Sequence, residues 1–330
     1  MATNQPRAAA SLLGLARQID PDGNIATIAE VLDEAMPIFV DAPMLRSNGI
    51  TYHRITRRTA LPAPTWTKIN SGITPTRGRT QQVDEEIGTL EARCEIDERL
   101  LDIAPDPAKF RANENRPFIE GIAQEFGNTF VAGSRTSSPE EFDGLETRYS
   151  AIDSTSDYQT VFNNGETTGS TNTSMWFVQW GPNTVHLIYP RNSSTIGITQ
   201  ENMGREPVFE SGSTTAKFYA WVTRFILKVG LAVHDVRCIK RVANINASFS
   251  DAQSLDDDVI VQAINEFPMQ ARAVVAYCNR DVQTQLDILA KDKTNVFYTP
   301  DGPFGRPQMH FRGIPVHRLD AITSTESIIS

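Results

Sequence analysis

Cysteine is scarce in this chain of 330 residues: Cys94, Cys238 and Cys278 stand alone, and no CxxC pair occurs. With three isolated thiols neither a zinc site nor a disulfide framework is suggested, and small buried thiols in a reducing cytoplasm are the expectation. Long apolar runs are missing too. No stretch of 18 apolar residues exists, so no membrane-spanning helix and no membrane partner are expected. The opening MATNQPRAAASLLGLARQ lacks the apolar core of a secretory leader. Positive charge is in deficit, with 31 Lys and Arg against 40 Asp and Glu and a net charge of -9. That balance argues against nucleic-acid binding as the main task. The basic run Arg54 to Arg58 is a local exception and fits a solvated strand face or a protein–protein contact.

Catalytic signatures are absent as well. Neither GxxxxGK[ST] nor GxGxxG occurs, and there is no GxSxG, HExxH or EF-hand loop. The five histidines, His53, His186, His234, His310 and His317, are spread along the chain, and the spacing of His310 and His317 has no metal logic. Asp256, Asp257 and Asp258 fit a helix N-terminus. Glu140, Glu141 and Asp143 fit a capping and turn cluster. The four tryptophans are not interleaved with basic residues, as an oligonucleotide platform requires. No catalytic, cofactor-binding or metal-binding residue is therefore expected.

What is present is a scaffold. Apolar residues make up 40% of the chain and charged residues 22%, enough for a sizeable globular core in two or three subdomains. Phe118, Ile122, Phe126 and Phe130 recur every four residues and predict an amphipathic helix. Gly133 is placed to end it, and Ser137-Ser138-Pro139 turns the chain. Asp106-Pro107 is an earlier start signal, which leaves Pro117 in the helix interior and predicts a kink or break between Asn113 and Pro117.

Ahead of it, short helices over Ala8 to Ile19 and Ile25 to Met36 are punctuated by Pro21, Gly23, Pro37 and Pro43, and resemble an arm more than a domain. Alternation over Ile50 to Arg57 and Leu90 to Asp97 predicts two polar-faced strands. Between them lies the turn-rich loop Leu61 to Gly78. Such a hairpin buries little alone and is expected to find its partner on another molecule.

Further on, Asp153 to Ser174 is predicted as an exposed loop, Met175 to Trp180 with Val185 to Tyr189 as a hairpin, and Arg191 to Gly212 as irregular. Lys217 to Asp235 is one long strand, expected to bend near Gly230. The last eighty residues read as an α+β module. It holds helices after Ser254 and Asn279 and strands over Ala273 to Tyr277, Val296 to Tyr298, Met309 to Phe311 and Ile314 to His317. Two classes stay open on these residues: an assembly protein, or an enzyme without a local motif.

Four stretches carry a resemblance: SPEEFDGLETRY (138–149), SMWFVQWGPNTVHLIYPRNS (174–193), VGLAVHDVRCIKRVANI (229–245) and MHFRGIPVHRLDAI (309–322). Their order and spacing resemble the major capsid proteins of short-tailed phages, the epsilon15-like and Bordetella-phage-like group with the Hong Kong 97-like capsid fold. The resemblance implies an α+β chain with an N-terminal arm (1–46), an extended loop (47–104) and a peripheral domain with a spine helix (105–150). It further implies shared strands including the long strand (151–247) and an axial domain (248–330). AVVAYCNRDVQTQLDILAKDK follows the long strand here, whereas the usual order of the fold places such a segment before it, which implies a rearranged connectivity.

The implied function is a self-assembling icosahedral head of hexamers and pentamers around packaged double-stranded DNA. The implied partners are many copies of the chain, a portal at one vertex, and scaffolding and cement or decoration proteins. The location is the virion, after assembly in the host bacterial cytoplasm. Contacts between subunits are expected at Arg54, Arg57, Arg58, Trp66, Arg77, Glu140 and Glu141. The next readings in order are an encapsulin-like compartment shell, a tail or decoration protein, and an enzyme.

Overall fold

The structure, a computed structural model, describes residues 37–152, 158–166, 169, 171–193, 196–210, 215–248, 255–268, 272–292, 296–300 and 307–330. The expected helices over Ala8 to Ile19 and Ile25 to Met36 lie outside them. Two compact units are formed. The first holds the described residues within 89–126 and 194–228, and the second those within 37–88, 127–193 and 229–330.

The first unit is built on paired strands and a helix. Strand β8 (Ile198–Phe209) runs antiparallel to β9 (Lys217–Val233), from Ile198↔Leu227 to Phe209↔Lys217, and β4 (Gly88–Asp97) lies on the other side of β9. Helix α2 (Glu98–Ile103) is capped by Asp97, whose carboxylate accepts from the Arg99 N–H at 2.9 Å. The long helix α3 (Pro107–Ala132) follows. Phe110 and Phe126 are buried, and the Phe118 ring stacks on Phe225 at 6.0 Å.

The helix is continuous through Pro117, so the expected break between Asn113 and Pro117 is absent. An interior proline costs about 3 kcal/mol. Burial of Phe110 before it and Ile122 after it, each worth roughly 1.5–3 kcal/mol, offsets that cost. A second correction concerns 191–212, which contains strand β8 where no regular structure was expected. Most of β8 is exposed on both faces, so it lacks the apolar alternation that marks a strand, and its pairing with β9 supplies the order.

The second unit carries the larger sheet, in the order β12-β13-β14-β11-β6-β10-β5. Its strands are β5 (Val161–Asn163), β6 (Asn172–Gln179), β10 (Ile239–Asn246), β11 (Val274–Cys278), β12 (Val296–Pro300), β13 (Pro307–Phe311) and β14 (Ile314–Arg318). Every residue of β6 is buried. One face of the sheet, including Met175, Phe177 and Ala276, packs on Ile260 and Ile264 of α5 (Asp257–Asn265) and on Val282 and Leu286 of α6 (Arg280–Asp292). The turn from β13 to β14 places Arg312 (φ 51°) and Gly313 (φ 82°) in the left-handed region, as a two-residue hairpin turn requires.

Three further expectations are corrected here. Strands β6 and β7 (Val185–Tyr189) do not form a hairpin: β6 pairs with β10 and β11, and β7 with β1 (Met44–Arg46) and the end of β9. Both strands are almost wholly buried, which a two-stranded ribbon cannot achieve. The stretch 153–174 is not all loop, because Val161 and Phe162 are buried in β5, parallel to β10. The cap of α5 is Asp256, whose carboxylate accepts from the Asp258 N–H at 2.9 Å; Ser254 lies outside the described residues.

Strands β2 (Tyr52–Ala60) and β3 (Arg79–Glu86) form a separate antiparallel ribbon in the same unit. The expected partner of β2, Leu90 to Asp97, is instead β4 in the sheet of β9. The sequence RTQQVDEE of β3 is mostly exposed and carries one apolar residue, Val83, so hydrophobic alternation could not reveal it.

Candidate functional site

The ribbon β2–β3 and its connection form the most distinctive surface. From residue 60 to 82 every residue is exposed. Four apolar side chains stand in solvent there: Leu61 (72% exposed), Trp66 (102%), Ile69 (95%) and Ile73 (70%). Apolar surface concentrated on one projecting element marks a protein contact. Pro62, Pro64 and Pro75 restrict the connection at little entropic cost.

The base of the ribbon is the opposite kind of surface. Glu85 is 4% exposed and lies between two arginines. Arg57 donates to it at 2.7 Å, and Arg148 of α4 (Leu145–Arg148) donates through two nitrogens at 2.9 and 2.6 Å. Arg57 also donates to the Val233 carbonyl through Nε at 2.9 Å. A buried carboxylate held by a two-pronged arginine is a directional fastening. It ties the ribbon to the end of β9 and to α4.

Of the residues expected at subunit contacts, Arg57 is thus half-buried and engaged within its own subunit. Arg54 is exposed, paired with Asp84 across the ribbon at 2.6 Å. Arg58, Trp66 and Arg77 are exposed on the ribbon and its connection, and Glu140 is exposed while Glu141 is half-buried on the segment after α3.

That segment, 139–145, is clamped to the end of α3. Gly133 follows the last helical residue, as expected, but its φ is not left-handed. Its lack of a side chain is needed for close approach: a Cβ there would lie 2.6 Å from the Phe142 carbonyl oxygen. Gly144 is equally constrained, with a Cβ only 2.6 Å from the Thr129 carbonyl oxygen, and its N–H donates to the Gly133 carbonyl at 2.8 Å. Asp143 accepts from the Arg135 N–H at 3.0 Å, which is the turn role expected of this acidic cluster.

The second face of the large sheet holds two buried polar groups. Arg241 (3% exposed) lies over the Trp176 ring at 4.6 Å and donates to Glu326 at 2.8 Å, to Ser174 Oγ at 2.9 Å and to the Tyr149 carbonyl at 2.9 Å. Ser174 Oγ also donates to Glu326. Burial and the neighbouring Glu326 carboxylate push the Glu146 carboxyl up to about 7, against the pull of Arg241. The last residues of the chain belong to this network, since Ile329 exchanges two hydrogen bonds of 2.9 Å with the Asn244 side chain.

Asp41, at the end of helix α1 (Pro37–Asp41), accepts from Tyr277 Oη at 2.7 Å and contacts His317 Nδ1 at 2.8 Å. The Trp180 indole N–H donates to the same phenol at 2.9 Å. These groups fasten chain segments together. Sequence reasoning found none of the three networks, because each joins residues far apart in the chain.

Comparison with known proteins agrees with a surface built for assembly. The profile of the family "Major capsid protein GP7" matches residues 20–330. The capsid structure of bacteriophage Epsilon15 is 27% identical, covers 100% of this chain and 99% of its own, and superposes with a TM-score of 0.77. The capsid of a native GTA particle is 12% identical over 72% of this chain and 99% of its own, at a TM-score of 0.48. The holo-SrpI encapsulin of Synechococcus elongatus PCC 7942 is 11% identical over 73% of this chain and 97% of its own, at 0.46. No curated protein matches the sequence. With the family profile and the Epsilon15 capsid both spanning nearly its whole length, the chain belongs to the GP7 family of phage major capsid proteins: a structural subunit of an icosahedral head with the Hong Kong 97-like α+β fold, and not an enzyme.

Proposed function

We propose that the β2–β3 ribbon is the extended loop of the shell and that its apolar tip docks on a neighbouring subunit. The observation that carries this reading is the set of four exposed apolar residues, Leu61, Trp66, Ile69 and Ile73, on an element with no core of its own. The fastened base at Arg57, Glu85 and Arg148 gives that tip a fixed direction. Arg54, Arg58, Trp66, Arg77, Glu140 and Glu141 are the contact residues of this reading, and Arg57 positions the ribbon.

In the same reading residues 1–46 are the arm, 47–104 the extended loop, 105–150 the peripheral domain, 151–247 shared strands and 248–330 the axial domain. Subunits meet as hexamers and pentamers, with a portal at one vertex and scaffolding and cement proteins as further partners. The shell assembles in the host cytoplasm and encloses the DNA without binding its sequence, since an acidic subunit with a net charge of -9 gains little from phosphates.

Deleting Pro62 to Arg77 tests the role of the tip. The expected result is a folded subunit with unchanged thermal unfolding that no longer yields shells by negative-stain microscopy. Undiminished shell yield overturns the docking role.

A further inference from the structure

Three histidines that are remote in sequence converge in the second unit. His53 lies on β2, His186 on β7, and His234 one residue beyond β9. One ring nitrogen from each lies within 4.8 Å of the others. Ring centroids are 5.1 Å apart for His186 and His234, 5.8 Å for His53 and His186, and 6.1 Å for His53 and His234. His186 is 1% exposed, and neither of its ring nitrogens has a hydrogen-bond partner. A buried imidazole with both nitrogens unsatisfied forfeits roughly 1–3 kcal/mol for each missing bond. Such a group calls for a ligand.

We propose that His53, His186 and His234 form a binding site for a divalent d-block cation of the zinc class. Imidazole nitrogen is a preferred donor for Zn(II), at about 2.0–2.1 Å, and three histidines with one open position make a recognised tetrahedral set. Tetrahedral donors at that distance stand about 3.4 Å apart. The present separations, up to 4.8 Å, exceed that value, so binding must draw the three rings together. Burial lowers all three imidazoles, His186 to about 4, so each is the neutral form that ligates metal at neutral pH.

Two groups of opposite charge act on the site: Arg57 lowers His234, and Glu85 raises both His53 and His234. Arg57 already donates to Glu85 and to the Val233 carbonyl, so much of its charge is spent. The Asn48 N–H, which donates to His53 Nδ1 at 3.2 Å, is the competing partner. Coordination through Nδ1 replaces that bond, and coordination through Nε2 gives it up. The Gly181 carbonyl favours a proton on His186, yet no hydrogen bond of normal geometry joins the two, so both ring nitrogens stay open to a ligand.

A cation here links the ribbon (β2) to the paired ends of β7 and β9. Resting on the extended-loop reading, the metal is a pin that fixes the direction in which the loop leaves the subunit.

The test uses the full-length subunit, stripped with a chelator and titrated with Zn(II) or Co(II). The expected result is one equivalent bound per chain, tetrahedral Co(II) absorption bands, and a higher unfolding temperature with metal. His53→Gln and His234→Gln, both at half-buried positions that tolerate the change, should weaken binding by more than about 100-fold, beyond the 10–100-fold cost of losing an outer contact. His310→Gln, remote from the cluster in sequence and outside it, should bind as the parent does. No binding at a hundredfold excess of metal, or equal binding by the His53 and His234 variants, overturns the site. Microscopy of the same preparations reads the loop role separately: shells that form equally well with and without metal overturn the pin, while the titration alone decides the site.

Discussion

Glu146 shows how one side chain sets a pH dependence. Its folded-state carboxyl titrates near 7, against 4.5 for a free carboxyl, because it is buried and faces Glu326. The folded state therefore holds a proton that the unfolded chain has released between these values. Linkage makes stability complete below about 4.5 and lost as pH rises through about 7. A shift of this size is worth roughly 3 kcal/mol at full burial. With its side chain 30% exposed, about 1–2 kcal/mol is the realistic figure. Glu146→Gln should stabilise the subunit by that amount at pH 8, leave it nearly unchanged at pH 4.5, and flatten the slope of chemical-denaturation stability between. At the same scale Gly144→Ala should cost about 2–3 kcal/mol, since its Cβ would lie 2.6 to 2.9 Å from three backbone atoms of 129–133. A denaturant midpoint equal to the parent's would contradict the clamp.

At the scale of elements, legibility followed burial. The phenylalanine stripe of α3 and the apolar run of β6 announced themselves because one face or both must be dry. Strands β3 and β8 did not, since their exposed polar residues carry no periodic signal and they owe their order to a partner strand. Gly230 shows a related limit. It lies inside β9, which runs unbroken to Val233, and a Cβ there would overlap the Glu86 carbonyl oxygen. The residue serves a close approach that local sequence cannot announce. The histidine cluster was invisible for the same reason, as its members lie on three different segments. Pro117 gives this scale its prediction. The helix tolerates it, so Pro117→Ala restores an N–H within reach of the Asn113 carbonyl. The gain, after about 1 kcal/mol is lost to a freer unfolded chain, is about 1–2 kcal/mol. Thermal unfolding reads it, and a destabilised variant would mean that the helix needs a distortion at this point.

At the scale of the whole molecule, folding and assembly rest on different residues and can be separated. The tip residues Trp66 and Ile69 are almost fully exposed, so their substitution removes no intramolecular packing. Trp66→Ser with Ile69→Ser should change subunit stability by no more than about 0.5 kcal/mol, while shell yield falls sharply. The chain end behaves oppositely. Removing residues 326–330 takes away Glu326, the buried partner of Arg241, together with the two hydrogen bonds between Ile329 and Asn244. Arg241 then keeps only the half-buried Glu146, 3.9 Å away, as a charge partner, and breaking a buried pair costs up to about 3–5 kcal/mol, a large share of the 5–15 kcal/mol that holds a domain together. The truncated chain should therefore lose its cooperative unfolding transition before assembly is reached. The double variant is followed by thermal unfolding and by sedimentation of assembled particles, and the truncation by circular dichroism of the isolated subunit. If the truncated subunit unfolds as cooperatively as the parent, the Arg241 network is not what secures the large sheet. If the double variant assembles as well as the parent, the apolar tip is not what joins one subunit to the next.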